Sequence, residues 1–274
     1  MVTRDEPWPH GTPCWIDLGV DDVGAARLFY EGLFGWQITE GPPEAGGYLM
    51  CLKEGRPAAG LGPKMSVEQP SMWSTYLAVS DADETLAKVI ENGGQVLLAA
   101  MDVMEFGRMG IAADPAGAVF GVWQARSMPG VGIANAPGAF IWSENMSRDW
   151  QANKAFYAAV IGFEYNDMSG DGFDYATLRV NGADVGGIGS ISADSPDDTP
   201  ASWVTYFAVD DADESVDRVV KLGGAVIRAP WDTPFGRMAI VSDVAGATFS
   251  LMSTPAEGYD AATDSATDEA STSG

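Results

Sequence analysis

Polar and apolar residues alternate through Pro13–Val20. Ile16, Leu18 and Val20 fall on one side, Trp15, Asp17 and Gly19 on the other. A period of two predicts a strand with one face buried. Beyond it the period lengthens. Ala25, Ala26, Leu28, Phe29, Leu33 and Phe34 mark the apolar face of a helix, opened by Asp21-Asp22 as a cap and stopped by Gly35. Short strands are predicted near residues 36–39, 48–53 and 58–62, which completes a β-α-β-β-β unit. A second unit begins at Trp73. It reads strand, helix over 81–92 closed by Gly93-Gly94, then strands near 95–100, 108–113 and 119–124.

The whole pattern then restarts. Phe106-Gly107-Arg108-Met109 recurs as Phe235-Gly236-Arg237-Met238. A four-residue word repeated in so short a chain is a register mark. An offset of 127 carries Trp15 to Trp142, Phe29-Tyr30 to Phe156-Tyr157 and Tyr48 to Tyr175, and it carries Gly60 and Gly62 to Gly187 and Gly189. Offsets of 130 and 129 carry Trp73 to Trp203, Gly93-Gly94 to Gly223-Gly224, and Ala116-Gly117-Ala118 to Ala245-Gly246-Ala247. The chain is therefore read as four β-α-β-β-β modules in two pairs. A first domain covers 11–125, a linker 126–137, a second domain 138–254, and an acidic tail 255–274 that is expected to be disordered.

Charge narrows the function classes. The 274 residues hold 39 acidic and 15 basic side chains, for a formal net charge of −24. Such a surface repels phosphate backbones, so no nucleic-acid partner is expected. No run approaches roughly 18 apolar residues, so no membrane partner is expected either. The first residues carry no apolar leader-like segment, and a cytoplasmic protein is the expectation. Cys14 and Cys51 sit in apolar strand-like runs and read as buried free thiols.

The order of modules, the helix ending in FYEGLFGW and the FGRM…DPAGAVFGVWQ ending resemble the vicinal oxygen chelate superfamily of glyoxalases, extradiol dioxygenases and bleomycin-resistance proteins. Within it, the tandem arrangement is similar to two-domain glyoxalase-like proteins of actinobacteria. The resemblance covers residues 11–254. It implies an α+β fold of two tandem domains, each an open eight-stranded barrel built from two modules, with ligand on the concave face. In metal-dependent members it also implies a histidine on a module's first strand and a glutamate on its last. The matching first-strand positions here are Trp15, Ser74, Trp142 and Val204. The last-strand positions are Gly121 and Ser250, with Gly60-Leu61-Gly62 and Gly187-Ile188-Gly189 in the other two modules. None offers the expected ligand, and the one histidine, His10, lies outside the first strand. No metal ligand set and no cofactor are assigned.

Strand parity puts Trp15, Asp17, Tyr76 and Trp123 on the concave face of the first half. It puts Trp142, Glu144, Tyr206 and Met252 on that of the second. Tyr48 and Tyr175 recur, but parity leaves their face open. Flat rings around one or two carboxylates suit a small planar, partly apolar and cationic ligand, the rings stacking on it and a carboxylate pairing with an amine. The expected partner is thus a small aromatic molecule, bound by a monomer or homodimer for drug or metabolite sequestration, or as an accessory in secondary metabolism. The alternative is a metal-free lyase, isomerase or hydroxylase-type enzyme with Asp17 or Glu144 as acid–base. A metal-dependent glyoxalase I is a third reading. Each feature has a plainer explanation beside it. The tryptophans would fill the barrel, and the two acids would be hydrogen-bonded to tyrosine hydroxyls. Arg108 and Arg237 would tie down the turns at Asp114 and Asp243, and the paired glycines would end helices.

Overall fold

The structure is a computed structural model, and it describes residues 1–253 except 67 and 171. The predicted tail lies outside the described residues. In chain order the elements are β1 (Val2–Thr3), β2 (Pro13–Val20), α1 (Val23–Phe34), β3 (Gln37–Glu40), β4 (Leu49–Lys53), β5 (Arg56–Pro63) and β6 (Met72–Ala78). Then come α2 (Ala82–Glu91), β7 (Gln95–Val103), β8 (Gly107–Ala113), β9 (Val119–Ala125) and the short β10 (Ile133–Ala134). The second half supplies β11 (Phe140–Ser147), α3 (Trp150–Val160), β12 (Glu164–Asp167), β13 (Tyr175–Val180), β14 (Ala183–Ser190) and β15 (Ser202–Ala208). It ends with α4 (Ala212–Lys221), β16 (Ala225–Thr233), β17 (Gly236–Ser242) and β18 (Thr248–Ser253).

Two eight-stranded sheets result, ordered β3-β4-β5-β2-β6-β9-β8-β7 and β12-β13-β14-β11-β15-β18-β17-β16. Modules therefore pair within a half. The first strands of paired modules, β2 with β6 and β11 with β15, run antiparallel at the middle of each sheet. The outer strands of each sheet are not joined, so each barrel stays open.

Local sequence explains the helices. Asp22, Asp81, Asp149 and Asp211 each accept a backbone N–H three residues on, which satisfies one of the free donors at a helix start. Gly35 ends α1 in the left-handed region at φ 66° and hydrogen-bonds back to Glu31.

The helices pack across the halves. Phe29, Phe34 and Tyr30 of α1 share one core with Ile16 and Leu61 of the first sheet and with Phe207, Phe249 and Leu251 of the second. Phe156 and Tyr157 of α3 share the other with Ile188 of the second sheet and with Leu77, Phe120 and Val122 of the first. The two sheets thus stand with their helix-bearing faces toward each other, and their other faces are turned away. Thr75 and Ser143, one from each half, are linked through their hydroxyls at 2.7 Å in this seam.

Each core is pinned by a buried polar triad. Trp73 Nε1–H donates to Tyr30 Oη at 3.0 Å, and Tyr30 donates to Asp243 at 3.0 Å. In the mirror position Trp203 donates to Tyr157 at 2.8 Å, and Tyr157 donates to Asp114 at 3.0 Å. Asp114 also accepts from Asn145, Asn153 and the amides of Ala116 and Ala118. This corrects the expected role of Arg108 and Arg237. Each arginine opens its strand while the aspartate lies past the far end, about 20 Å away at strand rise. Arg108 instead pairs with Asp83 and Asp102, and Arg237 with Asp213 and Asp232.

Cys14 and Cys51 are free and buried, as expected. No helix among the described residues is long and apolar enough to cross a membrane. One pairing had no signal in the periodicity. β1 joins β10, so the chain start is tied to the linker.

Phe34→Ala removes a ring buried between the halves and is expected to cost about 3–5 kcal/mol in urea unfolding. Tyr157→Phe leaves Asp114 and Trp203 each short of a buried partner and is expected to cost about 1–3 kcal/mol. Because the cores are shared, both variants should unfold in one transition. Two separated transitions would show the halves to be independent.

Candidate functional site

The face of each sheet turned away from the helices carries one carboxylate at its centre, Asp17 on β2 and Glu144 on β11. The register places Asp17 beside Gly60 and Ser74, and Glu144 beside Gly187 and Val204. Both acids are half-buried.

In the first half, Trp15 Nε1–H donates to Tyr48 Oη at 3.0 Å. Tyr48 donates to Asp17 Oδ2 at 3.3 Å, and Tyr76 donates to the same oxygen at 3.0 Å. The second half repeats the arrangement. Trp142 donates to Tyr175 at 3.1 Å, Tyr175 donates to Glu144 Oε2 at 2.9 Å, and Tyr206 donates to Glu144 Oε1. The structure thus settles the face of Tyr48 and Tyr175, which parity could not. It also brings Trp15, Asp17, Tyr48 and Tyr76 into one connected group, and Trp142, Glu144, Tyr175 and Tyr206 into another.

Glycines make room for the rings. A Cβ built on Gly60 would stand 1.6 Å from the Tyr48 hydroxyl, and one on Gly187 would stand 1.9 Å from that of Tyr175. A Cβ on Gly121 would stand 2.0 Å from the ring of Tyr76. The repeated glycines at 60 and 187 are therefore seats for tyrosines.

The two other predicted residues divide. Trp123 lies on the inner face but is 6% exposed, with its indole N–H held by Met128 O at 3.0 Å. Met252, its counterpart, is half-buried on the open face of the second sheet. Parity also places Met50 and Met109 on the first inner face, and Met146 and Met238 on the second, by their pairing with Gly60, Trp123, Gly189 and Met252. The reading of the sequence missed these four. For two of them the signal was available, since Met109 and Met238 end the repeated four-residue word. Two open depressions, of about 270 and 560 Å³, lie along the linker seam near His10 and Arg56. Neither is lined by Asp17 or Glu144.

Burial pushes the Asp17 carboxyl up to about 6, against the opposing hydrogen bonds from Tyr76 and Tyr48. Burial raises Glu144 too, opposed by Tyr206 and Tyr175. Burial and the adjoining carboxylates raise all four tyrosines, so these stay protonated and serve as donors. A carboxyl titrating near 6 can exchange a proton at neutral pH, or it can receive a cation.

A sequence profile of the Glyoxalase/Bleomycin resistance protein/Dioxygenase superfamily matches residues 14–122 and again 146–251. The chain belongs to this superfamily. A relative from Mycobacterium tuberculosis named putative glyoxylase CFP32 is 39% identical over 259 residues, which cover 92% of this chain and 98% of that one. The anthracycline biosynthesis protein DnrV of Streptomyces peucetius is 37% identical over 279 residues, covering 95% and 98%. Among solved structures, the Mn(II)-bound glyoxalase from Novosphingobium aromaticivorans superposes with a TM-score of 0.63 at 19% identity, covering 90% of this chain and 83% of that one. The 2,3-dioxygenase LapB from Pseudomonas sp. KL28 gives 0.62 at 15%, covering 92% and 96%. At those identities the likeness establishes the fold alone.

The residues here do not fit the metal that some superfamily members carry. Where a last-strand glutamate would stand, Gly121 lies under the ring of Tyr76 with no space for a Cβ. Where first-strand histidines would stand are Trp15, Ser74, Trp142 and Val204. Among the described residues, no three His, Cys, Asp or Glu side chains converge, which a divalent site of this kind requires.

Asp17→Asn tests the electrostatics. With a folded value near 6 against 3.8, Asp17 favours the folded state while it is protonated, and that contribution is lost as pH rises through about 6. From pH 4 to pH 7 the unfolding free energy of the variant should therefore gain roughly 2 kcal/mol on the parent. A constant difference across that range would show that Asp17 is not desolvated.

Proposed function

We propose that this protein is a metal-independent binder of a small, flat organic molecule, held on the inner face of a sheet against its tryptophan, tyrosine and methionine side chains. The observation that carries the reading is that the metal-ligand positions hold two rings, Trp15 and Trp142, a glycine that seats a third, Gly121, and the side chains of Ser74, Val204 and Ser250, with no histidine or carboxylate among them. The rings in that place are rigid, flat and oriented by hydrogen bonds, which suits stacking on a planar ligand. The carboxylate beneath supplies one point of charge recognition. Two relatives are named for anthracycline biosynthesis, and an anthracycline is a flat fused-ring molecule. The proposed role is cytoplasmic and in secondary metabolism, as sequestration of such a compound or as an accessory that holds it for another enzyme.

A second reading is favoured by one observation. A half-buried carboxyl pushed up to about 6 is suited to general acid–base work near neutral pH. In that case Asp17 or Glu144 would move a proton on the bound molecule in a metal-free lyase, isomerase or hydroxylase-type reaction. Turnover separates the two readings.

Native mass spectrometry of protein purified without chelator or added metal tests the proposal. The expected species carries an organic adduct and no stoichiometric divalent ion. One ion per domain would overturn the reading. Trp142→Ala is expected to weaken binding of a planar ligand more than tenfold while leaving the thermal transition in place. Loss of the folded state in that variant would assign Trp142 to the core instead.

A further inference from the structure

The two inner faces share a tryptophan, two tyrosines and a carboxylate but differ, among the described residues, in what covers them. In the first half the chain closes its own face. Trp15 and Trp123 are 4% and 6% exposed. Just after β9 the linker folds back over them. Met128 O accepts from the Trp123 indole at 3.0 Å, Val131 N–H donates to Cys14 O at 2.7 Å, and the Trp8 indole donates to Val131 O at 3.1 Å. Phe106, Met109 and Met128 pack into the same core as Trp15 and Trp123.

The second face has no such cover among the described residues. Met252 stands where the first half has Trp123. Trp142, Met146, Met238 and Met252 are all half-buried. Among the described residues they join neither hydrophobic core. Among the described residues, an apolar strip of one tryptophan and three methionines, each half-buried, thus lies uncovered beside a carboxylate. Methionine side chains are flexible and polarisable, and they adapt to the outline of a flat ligand.

Charge says which ligand. Among the described residues Glu144 is bonded by Tyr175 and Tyr206 alone, and no lysine or arginine stands within ion-pair distance of it. A half-buried carboxylate without a cation is incompletely compensated. A protonated amine on the ligand supplies what is missing, and the net charge of −24 draws cations toward the face.

We propose that the ligand site is single and lies on the inner face of the second half, where a flat aromatic molecule bearing a protonated amine stacks on Trp142 and pairs with Glu144. This rests on the planar-ligand reading above and adds its location, stoichiometry and charge.

The test is a calorimetric and fluorescence titration of the full chain with doxorubicin, which carries an amine, and with N-acetyldoxorubicin, which carries the same rings without the charge. One doxorubicin per chain is expected, bound at least tenfold more tightly than the acetylated probe. Glu144→Gln keeps the size of the side chain and one acceptor for a tyrosine hydroxyl, with its NH2 donating to the other hydroxyl, and should abolish that preference. Met252→Trp copies the first half, and the glycine beneath the indole there, Gly107, recurs as Gly236, so the new ring has a seat. It should remove binding of both probes. Two probes per chain, binding that survives Met252→Trp, or an amine preference unchanged in Glu144→Gln would each overturn the single-site inference while leaving the planar-ligand reading standing. A dimer that forms without probe and excludes it would give the face to a second copy and overturn the inference as well. Failure of both probes to bind a monomeric parent chain would overturn the planar-ligand reading itself.

Discussion

A carboxylate on the inner face of a sheet, with only hydroxyl donors around it, sets the terms for the rest of the site. Removing such a group from water is unfavourable unless its lone pairs are occupied, and tyrosine hydroxyls occupy them at both Asp17 and Glu144. To reach the carboxylates, the rings of Tyr48, Tyr175 and Tyr76 must lie flat on neighbouring strands. The strands beneath these three rings carry no side chain at the contact, where Gly60, Gly187 and Gly121 lie, while Tyr206 reaches Glu144 beside Ser250. One of these glycines falls on the position from which metal-dependent superfamily members extend a glutamate. In the first half the ring of Tyr76 occupies the space that such a glutamate would need.

The opposite faces of the sheets explain why the repeat does not act as two loose units. Each half sends its first helix into the seam between the sheets, and each seam is pinned by a tryptophan, a tyrosine and a buried aspartate drawn from both halves. Buried polar groups of this kind specify one arrangement, because any other leaves them unsatisfied. The inner faces are held in place by this shared core and differ in particular side chains, Trp123 against Met252 and Gly121 against Ser250. After β9 the linker returns over the first face, and Trp123 is locked beneath it.

Much of this was legible in the residues. The repeated Phe-Gly-Arg-Met word and the constant offsets fixed four modules. Alternation in Pro13–Val20 placed Trp15 and Asp17 correctly, because a strand buried on one face leaves no freedom in which side chains point where. Tyr48 could not be placed in this way. It stands one residue before β4, after a short helical turn, where period-two parity does not apply. The pairing of Arg108 with Asp83 and Asp102 was also beyond the sequence, since it depends on which helix end a strand passes. The buried Asp114 and Asp243 looked like ordinary turn acids. Their tyrosine partners come from the other half, and nothing local announces a contact across more than forty residues.

The account stands or falls on recognition without a metal. The most direct measurement is the affinity of a planar amine probe for EDTA-treated protein, titrated before and after addition of excess Mn²⁺. The account predicts the same dissociation constant in both, because tyrosine hydroxyls hold the Glu144 carboxylate and, among the described residues, no metal-ligating cluster accompanies it. Binding seen only after the metal is added would contradict it.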